Sequence, residues 1–190
     1  MNMKSGGATS FGADVRGPHS MKLRTVTRNI FKFECRGADG KLKWVDGFEN
    51  LTTTEGRNEA LTQFLKGSSY TAAFYVGLVD NASFTALAVG DTAAEINGTN
   101  QWIELTAYSG ATRPALTIGS ASSGSIDNSG SPAVYAINAT KTINGGFVVT
   151  TNTKAGTTGK IYGEGSFSSP RALVSGDTLT VTVTLTLASA

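Results

Sequence analysis

The chain has 190 residues and a formal net charge of +2. This length fits one domain, or one domain with an arm. The small net charge gives no strong field to favour a nucleic acid or a membrane surface as a partner. Cys35 is the only cysteine, so an intrachain disulfide is excluded.

Residues 1–22 lack apolar periodicity, and they contain several glycines and Pro18. We expect a flexible, extended N-terminal arm here. The chain shows neither a long apolar run nor an apolar N-terminal region, so we expect no membrane span, no secretory signal and synthesis in the cytoplasm.

Residues 23–68 predict a charged β-hairpin followed by a short helix. Two alternating segments within Ile30 to Phe48 flank the turn residues at 37–40. Thr52 and Glu55 form a capping-box pattern at the start of a helix that reaches Lys66. The helix is expected to pack on one sheet through Ala60, Leu61, Phe64 and Leu65.

Residues 69–190 predict a β-sandwich domain. The apolar run from Ala72 to Asp80 indicates a central strand that is buried on both faces. A long connection, 81–100, precedes short strands, which we place at 102–108, 115–118, 133–137, 141–143, 147–151, 160–166 and 178–187. The Asn144-Gly145 pair favours a tight hairpin turn.

The last strand, Thr178 to Leu187, alternates threonine with leucine or valine. Such strict alternation is typical of a strand with one buried and one exposed face. The whole pattern therefore predicts a mainly β fold: a jelly-roll-like two-sheet β-sandwich with one short helix and an extended N-terminal arm.

Charged residues are unevenly distributed along the chain. We count 15 between Ser20 and Tyr70 but only 9 from Asn100 to Ala190. The second region uses threonine, serine, glycine and asparagine as its polar surface. A surface of this kind is compatible with close packing against other proteins, because few charges lose their water.

The sequence offers little for catalysis, and we predict no catalytic residue, no metal and no cofactor. The single histidine, His19, lies in the predicted arm, where it could not be held beside a nucleophile. Cys35 is expected to be a small buried residue. The candidate carboxylates are those around the long connection, Asp80, Asp91, Glu95 and Glu104, and those in turns, Asp127 and Asp177. Two of them could form a glycosidase pair, although aspartates at turns more often bind backbone groups.

Three segments resemble a family of small structural proteins of tailed bacteriophages. They are FYVGLVDNASFTAL at 74–87, WIELTAYSGATRPA at 102–115 and SGDTLTV at 175–181. The chain is similar in these segments to capsid cement or decoration proteins. The resemblance covers about residues 72–187 and leaves out the arm and the hairpin.

The resemblance implies a non-enzymatic protein on the outer capsid surface of a virion, which often forms a homotrimer. Its partners would be the major capsid protein and other copies of itself, with neither nucleic acid nor membrane. We expect the arm and the hairpin to bridge capsid subunits, because the arm can clasp a neighbouring subunit and residues 21–49 concentrate charge that can set register. The expected partner-binding residues are Arg16, Lys22, Arg24, Arg28, Lys41, Lys43 and Trp44.

Two alternatives stay open at this point. The chain could be a neck, tail or head-fibre component of the virion. It could also be a carbohydrate-binding β-sandwich, with Trp102 and Tyr108 stacked on sugar rings, although such residues on a strand are more often core or interface anchors.

Overall fold

The structure is a computed structural model that describes residues 25–66, 73–97 and 102–189; within these ranges, the side chains of 25–27, 64–66 and 188–189 are not described. Nine strands within these described ranges make the fold mainly β, as the sequence predicted. They are β1 (Thr25–Arg36), β2 (Leu42–Thr52), β3 (Tyr75–Asp80), β4 (Ile103–Glu104), β5 (Ser125–Asp127), β6 (Ala133–Ala136), β7 (Lys141–Val149), β8 (Ile161–Leu173) and β9 (Thr178–Ser189). One α-helix, α1 (Thr54–Lys66), follows β2, and a 3₁₀ helix spans Ala93–Glu95. No helix among the described residues has the length and apolar character that a membrane crossing needs.

The strands form one antiparallel array in the order β4-β3-β7-β8-β2-β1-β9-β5, and β6 also pairs with β9. The pairing of β1 with β9 runs from Thr25 opposite Ser189 to Arg36 opposite Thr178. The β1–β2 hairpin is therefore paired on both sides, with β9 through β1 and with β8 through β2.

The side chains of β9 alternate between the core and the outer face of the sheet, as the sequence predicted. Leu179, Val181 and Val183 are buried, and Leu185 packs against the same core while partly exposed. The threonines at 180, 182, 184 and 186 point to the other side and are half-buried. Only Leu187, at 62% exposure, escapes the core.

The main core draws side chains from both ends of the strand order. Phe31 and Phe33 of β1 meet Leu78 of β3 and Val148 of β7 in one cluster. The rings of Phe33 and Phe167 pack edge to face at 4.8 Å, an arrangement that adds to the burial of apolar area. The predicted hairpin is thus part of the same core as the later strands.

A second core lies on the other side of β3. Here the β3–β4 connection (residues 81–102, of which 98–101 are outside the described ranges) covers the sheet. Ala93, Ile96 and Trp102 of the connection pack on Val79, Phe147, Val149 and Ile161. The prediction that this strand is buried on both faces is confirmed for β3: Leu78 faces the first core and Val79 the second.

The predicted hairpin turn at Asn144-Gly145 is wrong. Strand β7 continues through both residues from Lys141 to Val149. The glycine serves a close approach of two strands, because a Cβ atom on Gly145 would lie 1.9 Å from the Gly165 carbonyl oxygen. The irregularity lies in β8, since Ile143 pairs with Arg171 while Gly145 pairs with Ser166.

Other predicted strands are shorter or shifted. The segment 102–108 retains only the two residues of β4, with an isolated bridge from Tyr108 to Ile137. The segment 115–118 is reduced to a bridge from Ala115 to Tyr75. Conversely, the segment of β5 was not predicted as a strand; its last residue, Asp127, also accepts the Ser129 N–H across the following turn at 2.8 Å.

The helix begins two residues later than predicted, and its cap is Thr53 instead of Thr52. The Thr53 hydroxyl accepts the Gly56 N–H at 2.9 Å and donates to the Ile161 carbonyl at 2.6 Å. Ala60 and Leu61, which were predicted to face the sheet, are exposed, while Phe64 and Leu65 lie outside the described side chains. The helix approaches β8 through Gly56, where a Cβ would lie 2.1 Å from the Tyr162 carbonyl oxygen.

Candidate interface on the exposed sheet face

Four of the seven predicted partner-binding residues lie in the described part of the chain. Arg28, Lys41, Lys43 and Trp44 all belong to the β1–β2 hairpin or its turn. Arg16, Lys22 and Arg24 lie outside the described residues, and so does His19. The structure therefore brings part of the predicted set together on one hairpin.

Arg28 and Lys41 are the two exposed cations of this set. The Arg28 guanidinium lies 3.3 Å from the Glu49 carboxylate, and both side chains are about 60% exposed. Lys41 is 85% exposed and lies 3.3 Å from Asp39. Exposed ion pairs contribute only about 0–1 kcal/mol to stability, so both cations are available to a partner.

Lys43 has a structural partner. Its ammonium lies 2.6 Å from the carboxylate of Asp177, which is only 4% exposed. The same carboxylate oxygen accepts the Val174 N–H at 2.9 Å and the Cys35 thiol at 3.5 Å. Burial acts to raise the pKa of Asp177, but the hydrogen bonds from Lys43, Val174 and Cys35 outweigh it and lower that pKa.

Trp44 and Cys35 are also anchored inside the fold. The Trp44 indole N–H donates to the Ala172 carbonyl at 3.0 Å, and its ring meets Phe167 edge to face. Cys35 is fully buried, as predicted. Burial, with the nearby Asp177 carboxylate, raises the pKa of its thiol to about 12, so the reactive thiolate is absent at neutral pH.

The hairpin shares one exposed sheet surface with later strands, the outward side of β1, β2, β6 and β9, which we call the threonine face. Its rows follow the strand register: Val45, Glu34 and Thr180 lie side by side, with Val134 beyond them, and Glu49, Ile30 and Thr184 form a parallel row. Three apolar residues stand out on it: Ile30 at 43% exposure, Val45 at 47% and Val134 at 52%.

Charge is arranged in stripes on the threonine face. The outward residues of β9 from Thr180 to Thr186 are all threonines, whereas β1 beside it carries Arg28, Lys32 and Glu34. An uncharged stripe loses little hydration energy when a partner covers it, and flanking charges orient that partner. Sequence alternation located the charges of the hairpin, but the position of Val134 depends on the pairing of β6 with β9.

The buried charges serve the fold. Arg113 and Glu104 are both 0% exposed and are joined by two hydrogen bonds of 2.9 and 2.8 Å. Arg113 also donates to the carbonyls of Thr151 and Gly156, and Glu104 accepts the Ala155 N–H. A carboxylate that is this fully bonded has no free oxygen for acid–base work.

The aromatic pair considered for sugar binding is inside the protein. Trp102 is 1% exposed and Tyr108 is 2% exposed, as core residues are. Trp102 donates its indole N–H to Asp91 at 2.9 Å, and Tyr108 packs edge to face on Tyr135. Neither ring is available to stack on a sugar.

The described residues contain no group of three or more histidine, cysteine, aspartate or glutamate side chains that could hold a metal ion. An apolar groove of about 310 Å³ lies between α1 and the sheet, lined by Phe74, Leu116, Val148, Tyr162 and Leu185 with Glu59, Ala60 and Gln63 at the helix side. Nothing on its walls indicates a particular ligand.

No protein-family model matches the chain, and no curated protein matches it.

Proposed function

We propose that the chain is a non-enzymatic structural protein of a tailed-bacteriophage virion, and specifically a capsid cement or decoration protein. It binds the outer surface of the shell and stabilises it by bridging subunits of the major capsid protein. Its fold is the jelly-roll-like two-sheet sandwich that the resemblance implies, with the β9 side and the β3–β7–β8 side as the two layers.

The threonine face is the observation that supports the proposal best. It presents an uncharged stripe on β9 beside exposed Ile30 and Val134, and charged residues on β1 border that stripe. Such a face can be covered by another protein at small desolvation cost, while Arg28 and Lys32 fix the register. The segments that resemble phage structural proteins supply the kind of partner.

The decisive experiment measures binding to capsids purified from the phage that encodes the chain. The purified protein is mixed with expanded capsids, sedimented and then located on the shell by cryo-electron microscopy. We expect saturable binding on the outer surface. Absence of binding to the shell, with density confined to the neck, tail or fibres of intact virions, would instead establish the alternative virion role.

Two substitutions of exposed apolar residues form a matched pair for this experiment. Val134→Lys places a charge on the threonine face, and Leu61→Lys places one on α1, at similar exposures of 52% and 57%. Neither residue is buried, so both variants should fold. We expect Val134→Lys to lose capsid occupancy and Leu61→Lys to retain it. Equal occupancy of the two variants would remove the threonine face from the proposal.

A further inference from the structure

Glu164 of β8 is a buried carboxyl group that has no hydrogen-bond donor. It is 0% exposed, and neither of its side-chain oxygens receives a hydrogen bond from the protein. It lies under the β3–β4 connection, on the side of the sheet that carries Phe147, its neighbour in β7. An ionised carboxylate in such a place would be strongly unfavourable, so the neutral acid is the form that this site accommodates.

The side chain that meets Glu164 is another carboxyl group, Asp91 of the connection. Asp91 accepts the Trp102 indole N–H at 2.9 Å and the Ala88 N–H at 3.1 Å. These donors stabilise negative charge on Asp91. The neutral acid of Glu164 can in turn donate a hydrogen bond to the Asp91 carboxylate. Two groups that would both be acceptors when ionised are then joined by one hydrogen bond.

The other charged groups around this pair do not neutralise it. Glu95 of the 3₁₀ helix adds negative charge near Glu164, and Glu49 of β2 and Glu55 of α1 are acidic as well. Two cations of the surrounding elements are already paired: Arg113 with Glu104 at 2.8 Å, and Lys160 with Glu55 at 3.8 Å.

We propose that Glu164 and Asp91 share one proton and that this carboxyl pair is a pH-sensitive latch, which holds the β3–β4 connection against the sheet. Burial raises the pKa of Glu164 to about 9, and the negative charge of Asp91 raises it further, while the nearby Ala88 N–H, whose hydrogen bond goes to Asp91, acts to lower it. The latch is therefore closed at neutral pH. When the proton leaves, two carboxylates face each other in a buried site and the connection separates from the sheet.

The packing indicates which part of the connection moves first. A cavity of about 410 Å³ separates its residues 84–87 from Glu49 and Leu51 of β2 and residues 164–166 of β8. Of the later part, Ala93, Ile96 and Trp102 are packed in the second core. Release of the latch therefore frees residues 84–91 and opens the indole N–H of Trp102 to water, because its hydrogen-bond partner is Asp91.

Trp102 makes the proposal testable by fluorescence. In a Trp44→Phe background the remaining indole is the buried Trp102, since the chain has two tryptophans. We expect its emission to shift to the red in a reversible transition with a midpoint near pH 9. The same protein with Glu164→Gln should show no such transition, because the amide still donates to Asp91 but cannot ionise. Glu49→Gln, at the edge of the same cavity, should leave the transition unchanged.

A transition in Glu164→Gln equal to that of the parent, or no transition in the parent up to pH 10, would overturn the proposal. A second measurement is independent of the variants. In protein labelled with ¹³C at the glutamate carboxyl groups, one resonance should titrate near pH 9. If every glutamate of the folded protein titrates in the ordinary acidic range, about pH 4 to 5, Glu164 is not the proton holder.

Discussion

The ammonium of Lys43 lies 2.6 Å from the buried carboxylate of Asp177, and this contact fastens the hairpin to the turn that leads into β9. Lys43 was predicted from the sequence as a partner-binding residue, and that role stays a prediction. Its internal partner nevertheless changes how it can be tested, because a charge reversal at Lys43 also affects folding.

The first prediction concerns this contact. Lys43→Glu should lower the free energy of unfolding by about 2 kcal/mol, because it leaves a buried carboxylate beside a second negative charge, while Lys43 itself is one-third exposed. Lys41→Glu, at 85% exposure, should change it by less than about 0.5 kcal/mol. Urea unfolding of both variants decides the point. Equal stability of the two would show that the Lys43–Asp177 pair is unimportant for folding.

The same contact predicts a pH dependence. The pKa of Asp177 is lower in the folded protein than its ordinary value of 3.8, so the folded state binds this proton less readily than the unfolded state. Its contribution to stability is therefore present above about pH 4 and is lost as the pH falls through the folded pKa. Asp177→Asn should flatten the acid limb of a plot of stability against pH. A limb of unchanged steepness would contradict the lowered pKa.

A further stability prediction concerns the main core and uses β9. Val183 is 1% exposed, so Val183→Asp buries a charge without a partner and should lower the free energy of unfolding by about 3–5 kcal/mol. Thr182→Asp, its neighbour on the threonine face, should cost about 1 kcal/mol or less. Thermal melts of the two variants provide the comparison. If Val183→Asp melts within a few degrees of the parent, the assigned orientation of β9 is wrong.

The buried ion pair gives another test. Arg113→Met should destabilise the protein by about 3–5 kcal/mol, because it leaves the Glu104 carboxylate buried and uncompensated. Arg113→Met combined with Glu104→Gln should recover part of this loss. A double-mutant cycle by urea unfolding measures the coupling. A coupling near zero would indicate that the carbonyl and N–H partners hold each residue independently.

Oligomeric state is predicted from the low-charge second half and from the family resemblance. We expect a homo-oligomer, most simply a trimer, in native mass spectrometry at micromolar concentration. A clean monomer would remove the preformed trimer, and assembly would then have to take place on the capsid.

Attachment to the capsid can be divided between the arm and the hairpin. A chain that starts at Met21 and a full chain with Lys41→Glu should both fold, because neither change touches the described core. We expect Lys41→Glu to weaken capsid binding at low salt and to have little effect at high salt, where surface charges are screened. Undiminished occupancy for both proteins would shift attachment to the loops between the later strands.

Period-two alternation predicted the strands that are exposed on one face. Strand β9 and the β1–β2 hairpin were found from this alternation, whereas β3, which is buried on both faces, was found from its continuous apolar run. Asn144-Gly145 misled the interpretation since a glycine required for strand contact looks the same in sequence as a glycine required for a turn. Similarly, the sequence does not show whether Thr52 or Thr53 caps α1, because this depends on where β2 ends.

The site was less predictable because it depends on pairing between distant segments. The charges of the hairpin were evident, but Lys43 is tied to Asp177 and Trp44 to Ala172, contacts that span more than a hundred residues. Val134 joins the threonine face only through the register of β6 with β9. The meeting of Glu164 with Asp91 depends on how the β3–β4 connection folds over the sheet, which no local pattern records.

The pairing of β1 with β9 also determines where a fused or inserted segment would leave the fold. Thr25, the first residue of β1, lies opposite Ser189, the last residue of β9. The hairpin turn lies at the other end of β1, about 40 Å away, because twelve extended residues span that length. A reporter fused after β9 and one fused before β1 would therefore emerge side by side. A cargo inserted at the Asp39-Gly40 turn would project from the opposite end, which allows two different labels to be displayed on one copy without mutual contact.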